Sequence, residues 1–90
     1  LPRYFFHPRD GQTQPDAIGS EFPSLAAARV EAVRTAGELL KWHAETFWNE
    51  AEWSLEVTDE KGLTLFTLHF LAVDAPTLRP RESIPGAGSA

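Results

Sequence analysis

Trp53-Ser54-Leu55-Glu56-Val57-Thr58-Asp59-Glu60-Lys61-Gly62-Leu63-Thr64-Leu65-Phe66-Thr67-Leu68-His69-Phe70-Leu71 is the stretch that decides the fold. Trp53, Leu55 and Val57 alternate with Ser54, Glu56 and Thr58, the period of a strand buried on one side. Asp59 to Gly62 supplies a turn with glycine where a positive φ is wanted, and Leu63 to Leu71 returns as a longer strand. A lone hairpin is marginal in water. The rest of the chain must therefore bring a further strand and a cover for the apolar face.

Upstream, Arg3-Tyr4-Phe5-Phe6-His7 also alternates, with Tyr4 and Phe6 on one face and Arg3, Phe5 and His7 on the other. Pro8 and Asp10-Gly11 end that strand. Gln12 to Pro23 reads as a wrapping loop with a short strand around Ser20 to Phe22. Ser24 is a candidate N-cap, and Leu25 onward is rich in alanine and other helix formers, predicting a helix to about Phe47. At 100° per residue Leu25, Ala28, Ala32, Ala36, Leu39, Leu40, His43 and Phe47 share one stripe, so the helix packs by one face. His43 reads there as a hydrogen-bonded core histidine.

Proline marks the boundaries, since none of the seven falls between Ser24 and Ala75. These elements predict an α+β fold of βαββ type, one long amphipathic helix on one face of a three-stranded antiparallel sheet. The expected strand order is first, third, second, with the first strand antiparallel to the last. Residues 1–73 form the domain, and 74–90, poor in apolar residues, read as a disordered tail. Arg79-Pro80-Arg81 within it reads as solvated linker.

Composition narrows the function. A chain of 90 residues holds one core, and a domain this small leaves a thin stability margin that association would relieve. The absence of cysteine excludes disulfides, thiolate metal sites and thiol nucleophiles, and leaves a cytoplasmic location as the expectation. No signal peptide or membrane-length apolar run is present in the sequence. The lack of any Met, even at position 1, suggests a removed initiator or a shortened chain. A net charge of −5 without a Lys/Arg cluster argues against nucleic acid as a partner.

With one helix, one face of the sheet stays open. The alternation assigns Arg3, Phe5, His7, Leu63, Leu65, Thr67 and His69 to it, and an apolar surface of that kind marks an interaction site. Thr64, Phe66, Leu68 and Phe70 are expected on the helix side. Self-association by stacking open faces or joining sheet edges is the leading expectation. His7 and His69, on adjacent strands in this order, with Asp10 nearby, suggest an acid–base pair or metal site only loosely. No catalytic, cofactor-binding or metal-binding residue is assigned, and no small-molecule substrate is evident. Asp10, Asp16 and Glu21 lack the spacing of a calcium loop. They suit turn hydrogen bonds, helix N-terminal electrostatics or pairing with Arg29.

Several blocks together carry a family resemblance: Pro2-Arg3-Tyr4-Phe5-Phe6-His7, Asp10-Gly11, Asp16, Gly19, Glu21, Pro23 and Leu25, Ala27-Ala28-Arg29, Trp53, Val57-Thr58-Asp59-Glu60 and Gly62. In their order and spacing the chain resembles the short bacterial proteins grouped as domain of unknown function 6894, many of them from rhizobia and related α-proteobacteria. The chain departs from that pattern at Phe22-Pro23-Ser24, around Trp42 to Glu52 and in the tail. The resemblance implies a bacterial cytoplasmic setting and no activity. The expectation is a non-enzymatic protein-interaction module, a homodimer or bound to another protein, without cofactor or membrane. The alternative is an antitoxin-like or regulatory component that binds a partner protein or nucleic acid.

Overall fold

In the computed structural model, which describes residues 1–11 and 13–77, strand β1 (Arg3–Arg9) is followed by the two-residue strand β2 (Ser20–Glu21) and helix α1 (Leu25–Trp42). A one-turn helix α2 (Phe47–Glu50) then leads into strands β3 (Glu52–Thr58) and β4 (Thr64–Leu71). The residues from Leu78 onward, including Arg79-Pro80-Arg81 and most of the expected tail, lie outside the described residues. The fold is α+β with an antiparallel sheet and one main helix. The sheet has four strands, in the order β2-β1-β3-β4, where three were expected.

The expected order of the larger strands is overturned. β1 pairs antiparallel with β3, Phe6 opposite Val57 and His7 opposite Glu56, and β4 takes the outer edge. The cause lies between Asp10 and Pro23. That segment folds back along β1 and pairs as β2, Arg3 opposite Glu21 and Tyr4 opposite Ser20. The helix consequently starts from the beginning of β1, and the strand after it runs opposite to β1.

α1 begins as its sequence dictates. Ser24 is the N-cap, its Oγ accepting from the Ala27 amide at 3.1 Å, which satisfies one of the free amides of the first turn. The helix ends at Trp42, short of the expected Phe47, with the His43 amide bonded to the Leu39 carbonyl. The chain then has to return to the sheet. It does so through α2 and through Ala51, a non-glycine residue at φ 59°.

Ala28, Ala32 and Ala36 of α1, and Tyr4, Trp53, Leu55 and Val57 of the sheet, form the buried core. Phe6, Phe22, Leu25, Leu39, Leu40, Phe47, Phe66, Leu68 and Phe70 pack around it. Alanine on the helix brings the backbone close to the sheet, and Leu55 and Val57 vanish completely beneath it. Between Val57 and Thr58 the β3–β4 register slips. Thr58 faces Thr64 while Val57 faces Phe66, which leaves Leu65 as the extra residue of a bulge. For that reason Thr64, expected on the helix side, is exposed and bonded to Glu56, and Leu65 packs against the core cluster.

Two backbone positions give opposite expectations. At Gly19, φ is +76° and an added Cβ would lie 2.8 Å from Cγ of Arg3 and 2.9 Å from the Phe5 ring. Gly19→Ala will destabilise the domain by about 1–3 kcal/mol in urea unfolding. Ala51→Gly, which relieves a left-handed residue, will stabilise it by about 0.5–1 kcal/mol in the same measurement.

Candidate interaction surface

The face of the sheet away from α1 is built by β1, β3 and β4 from Arg3, Phe5, His7, Arg9, Glu52, Ser54, Glu56, Thr58, Thr64, Thr67, His69 and Leu71. Glu56 stands at its centre. It receives the Arg9 guanidinium from β1 and the Thr64 hydroxyl from β4. The Thr64 hydroxyl and then Arg9 hold its carboxyl below the ordinary value of 4.5. At one end of the face His69 Nε2 meets Glu52 at 2.7 Å, and at the other His7 Nε2 lies 3.0 Å from Thr58 Oγ1. The Phe5 ring stacks on that of His7 with 6° between planes.

The expected residues are therefore only partly gathered. Arg3, Phe5, His7, Thr67 and His69 lie on this face. Leu63 sits in the turn and is 63% exposed, and Leu65 turns toward the core at the bulge. The surface is a network of charged and hydroxyl groups rather than a continuous apolar patch. His7 and His69 are separated by β3 because the strand order differs from the expected one. Asp10 approaches His43, Oδ2 to Nε2 3.7 Å, and not the other two histidines. Among the described residues no group of three His, Asp or Glu side chains is placed to hold a metal.

The acidic loop has a structural task. Asp16 accepts from the amides of Ile18 and Gly19 with Oδ1 and from Phe6 with Oδ2, at 3.0, 3.0 and 3.2 Å. Burial pushes its carboxyl upward. The Gly19, Ile18 and Phe6 amides, with His7 nearby, outweigh that and hold it below the ordinary 3.8. Asp10 accepts from the Thr13 amide and hydroxyl, each at 2.7 Å. Glu21 pairs with Arg3 at 3.1 Å, and the same guanidinium donates to the Ile18 and Gly19 carbonyls. Arg29 lies over the Phe66 ring, 5.9 Å from its centre. Asp59 closes the hairpin turn by accepting from the Lys61 and Leu63 amides.

A second feature escapes sequence reading. Asp10, His43, Thr46, Phe47, Glu50, Glu52 and Trp53 line a cavity of about 40 Å³, room for a water molecule. Trp53 is one of its walls, and the indole N–H of that residue is buried without an acceptor among the described residues. The end of α1 at Trp42, where the sequence pattern continues a helix, brings His43 to Asp10. No described helix is long and apolar enough to cross a membrane.

Residues 3–71 match the sequence model of a family described as a domain of unknown function (DUF6894). No curated protein and no solved structure matches the chain.

Two measurements check the loop. The Asp16 amide can only donate, and it points at His7 Nδ1 from 3.2 Å, so the neutral His7 ring carries its proton on Nε2 and donates to Thr58. Nitrogen–proton correlation spectra will show that tautomer. Because the folded Asp16 carboxyl lies below its ordinary value, its contribution to stability is complete above about pH 4–5 and is lost as pH falls through the folded pKa. Asp16→Asn will be less stable than wild type at neutral pH and will lose less stability on acidification.

Proposed function

The chain belongs to the DUF6894 family, a domain of unknown function, and on that footing we propose that it is a small non-enzymatic interaction module that self-associates through its sheet. One observation carries this reading: α1 covers a single face, leaving the opposite face and the outer edge of β4 without a covering element among the described residues. Phe5, Thr67 and His69 present the open face, and Leu63 borders it at the hairpin turn.

Two features support a binding role over a catalytic one. The open-face side chains pair with one another, as Arg9 does with Glu56 and His69 with Glu52. The Asp16 and Glu56 carboxyls are held below their ordinary values by hydrogen bonds, the state of a structural carboxylate and not of a general acid poised near neutrality. The net charge of −5 favours protein over nucleic acid as the partner, and a cytoplasmic bacterial setting belongs to the same reading.

Light scattering across a dilution series tests it. A species of twice the 10.0 kDa chain, dissociating on dilution, is expected. A monomer at every concentration would refute self-association.

A further inference from the structure

We infer that two copies of this chain join along β4, antiparallel about a two-fold axis at Leu68, with the flanks of their α1 helices in contact. The inference rests on the self-association proposed above and names the surface that performs it.

The first argument is the edge itself. β4 is the outermost strand on its side, eight residues long, and carries no proline, lysine or carboxylate from Thr64 to Leu71. Edges that must stay single are normally protected by such residues. Here the nearest irregularity, the bulge at Leu65, stands at the turn end and leaves Phe66 to Leu71 regular.

The second is register. The Ala72 amide bonds to the Ala51 carbonyl, and bonding alternates along an antiparallel ladder. Phe66, Leu68 and Phe70 therefore turn their peptide groups toward β3, and Thr67 and His69 turn theirs outward. The proposed two-fold at Leu68 pairs these outward groups with Thr67 opposite the partner's His69. It also sets Leu68 opposite the partner's Leu68, and Phe66 opposite the partner's Phe70. The half-buried apolar row on the helix side thus meets its own image, a self-complementary arrangement of the kind a two-fold interface requires.

The third is the helix flank above that edge. Arg29 over Phe66 marks the β4 side of α1, while Glu31 and Thr35 line the cleft beside Phe6 and Phe22. Continuing past Arg29 at 100° per residue, the β4 flank presents Val33, Leu40, Ala26 and Gly37. Val33 is 61% exposed, and nothing lies within 4 Å of a Cβ added at Gly37. Glu31 and Glu38 project on the opposite flank. On a chain of net charge −5 this flank is free of carboxylates, so two copies meet there without like-charge repulsion between acids.

Spacing agrees. α1 contacts both β3 and β4, and an axis midway between them would stand about one strand spacing, ~4.8 Å, from a two-fold at the β4 edge. The two helices would then run about 10 Å apart, at the upper end of the helix-packing range. The edges would join into one continuous sheet, leaving both open faces exposed side by side.

Since the chain has no cysteine, Leu68→Cys is a clean probe. Opposed residues of a non-hydrogen-bonded pair have Cα atoms about 4.5 Å apart, within disulfide reach. Diamide oxidation is expected to give a covalent dimer of Leu68→Cys at concentrations where wild type dimerises, with far-UV circular dichroism unchanged. Val33→Asp, at an exposed helix position, is expected to weaken association at least tenfold without unfolding. If wild type dimerises while Leu68→Cys stays uncoupled and Val33→Asp associates normally, the edge assignment is overturned and self-association stands. If wild type is monomeric at every concentration, both are overturned.

Discussion

Everything in this domain depends on how closely α1 lies on the sheet. Ala28, Ala32 and Ala36 place methyl groups where larger side chains would hold the helix away, and Leu55 and Val57 fill the space they leave. Burying a Leu or Val side chain is worth roughly 1.5–3 kcal/mol, and interiors are packed densely enough that an added methylene is felt. With so few fully buried residues, the margin of a chain this size rests on this seam. It also fixes which face of the sheet is covered and which is left to the surroundings.

A second constraint shapes the beginning of the chain. The loop after β1 is tied back by Asp16, which serves three amides, by the Arg3–Glu21 pair and by Gly19, whose lack of a side chain lets the backbone pass Arg3 and Phe5. The blocks by which this chain resembles its family thus have architectural duties. Arg3, Asp10, Asp16, Gly19 and Glu21 build the return to β2, and Asp59 and Gly62 build the hairpin turn. These residues maintain a shape.

Much of the fold was legible in the sequence. The hairpin, the first strand, the Ser24 cap, the alanine stripe, the short strand near Ser20 and, on the helix side, Tyr4, Phe6, Trp53, Leu55, Val57, Phe66, Leu68 and Phe70 all follow from period and turn chemistry. Strand order did not, because direction was set by the loop from Asp10 to Pro23. Nothing in local periodicity says that this loop doubles back before the helix starts. The same omission placed His7 beside His69. The bulge was equally hidden, since strict alternation cannot register one added residue, and it moved Thr64 and Leu65 to faces opposite to those expected. The helix end was read too long because Trp42 to Phe47 keeps the helical stripe while tertiary packing demands a turn. The open face was legible as a location and misread as a texture: its residues pair laterally across strands, and a pattern along one strand cannot show that.

The central position of β3 has a consequence for how the chain acquires its structure. β3 and β4 meet across a short turn, whereas β1 joins β3 only by bringing residues such as His7 and Glu56 together across most of the domain. Closing so long a loop costs entropy before any contact repays it. During synthesis β1 emerges first and yet lacks its partner until nearly the whole domain is made. Its aromatic residues must wait beside the returning loop and helix, and the hairpin at the far end is the natural nucleus onto which they dock.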